Sequence, residues 1–225
     1  YLLDGVNSQF PEKGISRKDV ISTWSGVRPV IGSEKSKDPS KERRDHAVWS
    51  DKGLVTVSGG KLTTFRLIAL DALAAAASRL PEPQTADDDR IFNPPGTDPA
   101  QLVPGDTAWA RRLLGRYGDA AQALLDGAPQ SEHVRVAGTD FCLAECRWAI
   151  EQEATVHLDD LLLRRTRLGL LLPSGGEQLF DELAPMFREL AGWSDSHWQS
   201  EVARYRDILR RFYSLPYDGL DNGHA

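Results

Sequence analysis

Residues 53–66 decide the fold, and their sequence is GLVTVSGGKLTTFR. Leu54–Val57 is short, apolar and β-branched, which predicts a buried strand. Two glycines, Gly59 and Gly60, interrupt that pattern. In residues 62–80 the composition changes to Leu, Ala, Ile and Arg, which are good helix formers. The stretch therefore predicts a strand that enters a two-glycine turn and leaves as a helix.

The start of that helix carries three polar side chains, Lys61, Thr63 and Thr64. Free backbone N–H groups and the positive end of the helix dipole meet these side chains at one point. Glycines allow a ligand to approach the backbone closely. The turn therefore predicts a site for a group that is anionic or becomes anionic. An ordinary strand-to-helix turn with an exposed lysine is the alternative, because strand–Gly-Gly–helix sequences are common.

The chain has 225 residues, enough for one large domain or two small ones. Its net charge of −6 gives no electrostatic basis for binding nucleic acid. No apolar run is long enough to span a bilayer, and no signal peptide is recognisable. Cys142 and Cys146, the two cysteines, favour a reduced, cytoplasmic setting. Because the chain opens at Tyr1 within an amphipathic segment, we expect it to be the C-terminal part of a longer protein.

Three short elements are predicted before the hairpin. Residues 2–10 predict a helix that ends at a proline. Residues 17–23 predict a second helix with Ser16 as its N-cap. Residues 24–31 are predicted to form a strand that carries Arg28.

A hairpin and a linker are predicted next. Residues 45–49 form a strand that pairs with residues 54–57 across a tight turn at 51–53. Residues 81–104 contain six prolines and the acidic run at 87–89, which is typical of a linker at a domain boundary.

From residue 106 onward the pattern is helical throughout. Residue Thr139 is predicted to cap a helix that runs to Ala154, and residues 158–171 are predicted to form another. Ser174 and Glu177 have capping-box spacing. The predicted class is therefore α+β, with three segments: residues 1–80, a few strands with packed helices; 81–104, a linker; 105–225, a helical domain.

Three cations, Arg28, Arg44 and Lys61, lie where a strand ends or a helix begins. An arginine on an apolar strand is rarely left unpaired, because burying an isolated charge is costly. If the sheet brings the three side chains together, they form a pocket for a small anion such as phosphate. The alternatives are a structural salt bridge for Arg28 and a solvated position for Arg44. The five histidines are scattered without ligand spacing, so no metal site is predicted.

Five short motifs occur along the chain: SGVRP at 25–29, RDH at 44–46, GGKLTTFR at 59–66, WA at 148–149 and LDDLLLRRTRLG at 158–169. Their combination and order resemble the C-terminal part of the FAD-dependent glycerol-3-phosphate dehydrogenase family. The resemblance implies that residues 1–80 are the C-terminal portion of a FAD- and substrate-binding domain. The last two motifs resemble that family's helical C-terminal domain. The resemblance covers most of the chain.

The resemblance implies roles for individual residues. The glycine turn would lie against FAD near the flavin ring, where a helix N-terminus stabilises negative charge on the reduced flavin. The implied cofactor-binding residues are Gly59, Gly60, Lys61, Leu62, Thr63 and Thr64. Arg28, Arg44 and Lys61 are implied to bind glycerol-3-phosphate, and Arg28 and Lys61 are implied to be catalytic. Phe65 stands where the family often has tyrosine, so any role of that hydroxyl is lost.

The resemblance also implies a reaction and partners. A hydride would pass from C2 of sn-glycerol-3-phosphate to FAD, giving dihydroxyacetone phosphate. Electrons would then pass to a membrane quinone, or to oxygen in oxidase relatives. A cytoplasmic location, peripheral contact with the inner face of the cytoplasmic membrane and a homodimer are further expectations.

One part of the family pattern is missing from the sequence, namely the strand–GxGxxG–helix fingerprint of the dinucleotide-binding half. We therefore expect this chain to supply half of an active site and to be inactive alone. Two alternatives stay open. One is a related FAD-dependent amine or amino-acid oxidase, which uses an arginine on such a strand for a carboxylate. The other is a non-enzymatic helical interaction module attached to a remnant of a flavin fold.

Overall fold

The computed structural model describes residues 1–27, 45–81 and 94–215. These residues contain one two-stranded antiparallel sheet and a larger set of helices, which confirms the predicted α+β class. The α-helices in the described residues are α1 (Leu2–Gln9), α2 (Phe65–Ala76), α3 (Pro99–Leu102), α4 (Thr107–Tyr117), α5 (Ala120–Asp126), α6 (Leu143–Gln152), α7 (Leu168–Leu171), α8 (Phe180–Ala191) and α9 (Asp195–Ile208).

The chain divides into two compact units. The helical unit combines Tyr1–Trp24 with Asn93–Ala225, and the hairpin unit is Ser25–Phe92. The first 24 residues thus group with the helical unit, whereas the sequence assigns them to a domain of residues 1–80. That division of the chain into domains remains a prediction.

The hairpin unit contains the predicted hairpin. Strand β1 (His46–Asp51) pairs antiparallel with β2 (Leu54–Gly59), so that Val48 lies opposite Val57. The two turn residues, Lys52 and Gly53, both have positive φ, as a type I′ turn requires. The predicted strand over residues 24–31 is not found at residues 24–27, and its remainder lies outside the described residues.

One prediction about the hairpin is wrong. Leu54–Val57 is predicted to be a buried strand, but Leu54 is 68% exposed and Val57 is 41% exposed. No described residue of the hairpin unit is buried. The hairpin and α2 are therefore two layers without a closed core between them.

The amino-terminal residues attach to the helical unit by hydrogen bonds far apart in sequence. The Ser22 hydroxyl donates to the Leu170 carbonyl at 2.9 Å, and Thr23 donates its N–H to the Tyr213 carbonyl at 2.8 Å. The Thr23 hydroxyl donates to the Ser214 carbonyl at 2.7 Å. We call residues 20–23 the strap.

The strap corrects the second helix prediction. Ser16 is an N-cap as predicted, and the Asp19 carboxylate accepts from the Ser16 N–H at 2.8 Å. The helical turn, however, spans only Arg17–Asp19 and not residues 17–23. It ends there because Val20 is extended and the donors of residues 22 and 23 bind distant carbonyls.

Two apolar clusters form the core of the helical unit. The larger cluster joins α6, α7, α8 and α9, and its fully buried side chains include Leu158, Leu161, Leu162, Leu168, Leu183, Phe187 and Tyr205. The smaller cluster joins α3, α4 and α5 to the start of α6, and it includes Leu102, Trp109, Leu113, Leu124 and Ala144. Leu102 belongs to α3, so the end of the predicted linker at 81–104 is part of this core.

The bounds of α6 differ from the prediction. The helix begins at Leu143, and Cys142, rather than Thr139, is its N-cap. The Glu145 carboxylate accepts from the Cys142 N–H at 2.9 Å and satisfies that donor. Thr139 is used elsewhere, because its hydroxyl donates to the Val136 carbonyl at 3.0 Å.

The predicted helix over residues 158–171 is broken. A π-helical segment spans Asp160–Arg165, and Arg167, with φ of +59°, separates it from α7. The predicted capping box at Ser174 is also wrong, since Ser174 and the two glycines after it have positive φ. The Tyr205 hydroxyl donates to the Gly175 carbonyl at 2.7 Å and holds this loop against α9.

Candidate functional site

The glycine turn, residues 59–64, has the strand–turn–helix form that the sequence predicts. Strand β2 ends at Gly59, and Gly59 and Gly60 have φ of +77° and +85°. Lys61 is extended and caps a 3₁₀ turn of Leu62–Thr64, which leads directly into α2. Two successive left-handed residues reverse the chain here, and glycine is the residue that adopts this conformation without strain.

Gly60 is required by packing as well as by its φ. A Cβ at this position would lie 2.6 Å from Ile68 Cδ1 and 3.1 Å from His46 Cβ. The backbone of the turn therefore contacts both β1 and α2. This close approach explains the glycine without a ligand.

Contacts along its length fix α2 against the hairpin. In the first turn and a half, Ile68 faces the strands and is half-buried. At the middle of the helix, His46 Nε2 lies 2.6 Å from Asp71 Oδ2. Beyond its end, the Arg79 guanidinium covers the hairpin turn, where a Cβ on Gly53 would lie 2.8 Å from Arg79 Nη1. The helix N-terminus is thus held at a fixed position beside the end of β2.

The polar side chains of the glycine turn differ in whether they have a partner within the turn. The Thr64 hydroxyl donates to the Lys61 carbonyl at 3.0 Å, so it stabilises the turn itself. Neither Lys61 nor Thr64 caps the following helix with its side chain. Within the described part of the chain, the exposed Lys61 ammonium has no ion pair. The turn therefore presents a cation and uncapped helix amides together.

A concavity of about 400 Å³ opens beside the turn. Its walls combine the polar backbone of the turn with apolar side chains of α2, and the lining residues are Gly59, Gly60, Lys61, Leu62, Phe65, Ile68, Ala69 and Ala72. An apolar ring system with a polar or anionic edge matches this combination.

Helix α2 also presents apolar residues away from the hairpin. Leu67, Leu70 and Leu73 are each 51–55% exposed. With 3.6 residues per turn, Leu67 and Leu70 project from the side opposite Ala72, which faces the strands. A helix that is apolar on two faces is normally covered on both. The sequence already contained this signal in the run FRLIALDALAAA, which lacks a polar face.

The structure describes only part of the predicted pocket. Of the predicted cofactor-binding residues, Gly59, Gly60, Lys61 and Leu62 line the concavity, whereas Thr63 and Thr64 do not. Arg28 and Arg44 lie outside the described residues, so the convergence of the three cations remains a prediction.

The described residues also bear on metal binding and on membrane insertion. They contain no group of three or more His, Cys, Asp or Glu side chains that could hold a metal ion. Cys142 and Cys146 are both free and buried. The described helices include none with the length and apolar character needed to cross a membrane.

Comparison with known proteins gives consistent matches. Residues 95–198 match the model of a family described as the C-terminal domain of alpha-glycerophosphate oxidase. A glycerol-3-phosphate dehydrogenase of Mycobacterium leprae is 30% identical over 91% of this chain and 37% of its own length. Glycerol-3-phosphate dehydrogenase 2 of Mycobacterium tuberculosis H37Rv is 29% identical over the same shares.

The aerobic glycerol-3-phosphate dehydrogenase of Staphylococcus aureus USA300 is 30% identical over 74% of this chain and 33% of its own length. The chain thus spans about a third of the length of the curated relatives it matches. The matches with the mycobacterial proteins extend beyond the helical unit, because they cover nine-tenths of the chain.

Proposed function

We propose a function on one premise: the chain belongs to the glycerol-3-phosphate dehydrogenase family and corresponds to a C-terminal portion of it. In a protein of the relatives' full length, the glycine turn of this chain completes an active site that oxidises sn-glycerol-3-phosphate to dihydroxyacetone phosphate. The hairpin unit contributes one wall of that site, and the helical unit is the domain attached to it.

The concavity beside the glycine turn carries this proposal. FAD fits the residues present, since its ring system is flat and largely apolar and becomes anionic at one edge on reduction. Leu62, Phe65 and Ile68 supply apolar contacts for such a ring, and the turn amides with Lys61 supply positive potential. When bound, FAD accepts the hydride from C2 of the substrate.

Each cation has a proposed part. Lys61 stands at the helix N-terminus, where its charge adds to that of the helix dipole. It stabilises negative charge that develops at the site during the reaction. Arg28 and Arg44 bind the phosphate of the substrate, for which the guanidinium fork is suited.

The exposed apolar surface of the hairpin unit supports the idea of a half-site. A unit with no buried described residue does not close a core by itself. We propose that another part of the full-length protein covers Leu67 and Leu70 and supplies most of the FAD-binding surface. The 225-residue chain alone is then expected to bind FAD weakly or not at all and to be inactive.

Lys61→Gln in the full-length protein tests the site. We expect kcat/KM for glycerol-3-phosphate to fall about 100-fold, as for the loss of one group that stabilises transition-state charge. Lys52→Gln is the matched control, because Lys52 lies in the hairpin turn and is also exposed. An unchanged kcat/KM for Lys61→Gln would remove this lysine from the active site.

A flavin titration of the 225-residue chain tests the half-site separately. We expect no stoichiometric FAD after gel filtration, and no bleaching of flavin absorbance when glycerol-3-phosphate is added. Retention of one FAD per chain would overturn the half-site.

Three further features are proposed from the family resemblance. They are transfer of electrons to a membrane quinone, a cytoplasmic location with peripheral contact at the inner face of the membrane, and a homodimer. Reduction of a soluble quinone analogue under nitrogen, compared with oxygen consumption, distinguishes the two electron acceptors.

A further inference from the structure

Two arginines of α4 share one aromatic ring. Arg112 and Arg116 are four residues apart and therefore lie on the same face of the helix. The Arg112 Cζ atom lies 4.2 Å from the centroid of the Phe141 ring, and the Arg116 Cζ atom lies 5.0 Å from it. Both guanidinium groups are consequently held close together despite their like charges.

One carboxylate faces this pair. Glu145 is fully buried, and its Oε1 atom lies 2.6 Å from Arg112 Nη1 and 3.9 Å from Arg116 Nε. The same oxygen accepts from the Tyr117 hydroxyl at 2.9 Å, while Oε2 accepts from the Cys142 N–H. Within the described residues, two arginines therefore share one carboxylate that already has other donors.

Tyr117 cannot balance the second arginine. Burial raises the pKa of its hydroxyl, and the Glu145 charge raises this pKa further. Tyr117 is therefore neutral at physiological pH. Glu145 supplies one negative charge and Tyr117 supplies none. These two residues therefore balance only one of the two arginine charges.

The two guanidiniums are fixed yet accessible. Arg116 donates through Nε to the Tyr117 hydroxyl at 2.9 Å and through Nη2 to the Arg165 carbonyl. The Arg112 and Arg116 side chains are still 24% and 35% exposed. Both side chains are therefore already ordered before an anion binds. Binding then costs little further side-chain entropy, which favours it.

We propose that Arg112 and Arg116 form a binding site for an oxyanion, either a carboxylate or a phosphate group, on the surface of the helical unit. Arg112 alone would suffice to pair with Glu145, so the second arginine has no structural need within that pair. Two adjacent forks can bind two oxygens of one anion at the same time. This proposal is independent of the glycine turn, which lies in the other unit.

Titration of the 225-residue chain, observed through its arginine Nε–Hε NMR signals, tests the site. The probes are sodium phosphate and sodium acetate, each compared with sodium chloride at equal ionic strength, because general screening affects all surface charges. We expect saturable shifts of the Arg112 and Arg116 signals with phosphate, acetate or both. The probe that binds more tightly identifies the source of the oxyanion.

Arg116→Gln is the informative variant, since it leaves the Arg112–Glu145 pair in place. We expect it to weaken binding at least about fivefold, the scale of one lost charge-assisted hydrogen bond. Arg111→Gln is the matched control, because Arg111 is exposed, lies on the same helix and has no ion pair among the described residues. Its affinity should match that of the unsubstituted chain.

Two results would overturn the proposal. One is that chloride shifts the same signals as strongly as phosphate and acetate do. The other is that Arg111→Gln weakens binding as much as Arg116→Gln does. Either result would mean that the anions respond to general surface charge and not to the arginine pair.

Discussion

The hairpin unit and the helical unit contain similar fractions of apolar residues but bury them differently. The helical unit buries its large side chains in two clusters, and several of them are fully inaccessible. The hairpin unit has a regular hairpin and a 12-residue helix, yet none of its described residues is buried. Local structure and a closed core are therefore separable properties of this chain.

This difference indicates which interactions stabilise each unit. In the helical unit, tertiary packing stabilises even irregular segments such as the π-helical turn at Asp160–Arg165. In the hairpin unit, regular segments depend on turn chemistry, helix propensity and half-buried contacts such as that of Ile68. Substitutions in the two units should therefore have very different costs.

The largest contrast concerns leucines. Leu183→Ala removes a fully buried side chain and should lower the free energy of unfolding by about 3 kcal/mol. Leu70→Ala, at a half-exposed position, should change it by less than about 0.5 kcal/mol. Urea denaturation followed by circular dichroism measures both. Equal losses would show that the units are equally well packed.

The same pair of variants sharpens the comparison in a protein of the relatives' length. If another part of that protein covers α2, Leu70→Ala should there cost about 2 kcal/mol, as for a buried leucine. A cost that stays near zero would mean that this face of α2 remains in solvent.

A smaller contrast concerns left-handed glycines. A Cβ on Gly175 would lie 2.2 Å from Leu209 Cδ1, whereas a Cβ on Gly192 would meet nothing within 4 Å. Gly175→Ala should therefore cost about 2 kcal/mol, and Gly192→Ala only the conformational part, about 1 kcal/mol. Thermal unfolding monitored at 222 nm compares them. Similar losses at both positions would mean that packing against Leu209 contributes nothing.

Two aspartates give the next contrast. Burial alone would raise the pKa of Asp159, but hydrogen bonds from Arg164 and Arg204 outweigh it and lower this pKa below its ordinary value of 3.8. Asp159→Asn should cost about 1 kcal/mol at pH 7, because both arginines are partly solvated. Asp71→Asn removes the pairing with His46 at a half-exposed position and should cost less than about 0.5 kcal/mol.

The effect of pH on the Asp159 contribution follows from the sign of its shift. A lowered pKa in the folded state means that the unfolded chain binds the proton more readily. The contribution of Asp159 is therefore fully present above the unfolded-state pKa and is lost as the pH falls through the folded-state value. In the Asp159→Asn variant, the free energy of unfolding should therefore depend less on pH below about pH 4. Urea denaturation at several pH values measures this dependence. A variant with the same acid slope would contradict this assignment.

The smallest effect is expected from exposing the folded chain to a thiol reagent. Burial raises the pKa of Cys142 to about 11 and also raises that of Cys146. Iodoacetamide at pH 8 should therefore label neither thiol until the helical unit opens. Leu183→Ala should accelerate labelling and Leu70→Ala should not, as mass spectrometry can show. Rapid labelling of the native chain would contradict the buried position of both thiols.

The sequence predicts local structure well where turn residues and short-range pairing decide it. The hairpin is confirmed because Gly53 readily adopts one of the positive φ angles that a two-residue turn between two strands requires. The prediction that Leu54–Val57 is buried is wrong, because burial depends on a partner surface that no local sequence pattern specifies. The strand–turn–helix form of the glycine turn is found as predicted, because its own residues determine it. Arg28 and Arg44 lie outside the described residues.

Errors in the helical unit arise from distant contacts. Residues 17–23 fail to continue as a helix because the strap donates to carbonyls near the other end of the chain. The Ser174 capping box fails because Tyr205 holds the glycine loop in a left-handed conformation. The Arg112–Arg116 pair was not predicted, since Phe141 and Glu145 come from another part of the chain.

The strap has a consequence for the order in which the protein folds during synthesis. The Ser214 carbonyl that Thr23 binds lies 191 residues further along the chain. A contact of such separation cannot form until almost the whole chain has been translated. The clusters around α4 and α6 can assemble before then. Closure of the strap therefore follows the assembly of these clusters, and it joins two segments that are far apart in the sequence.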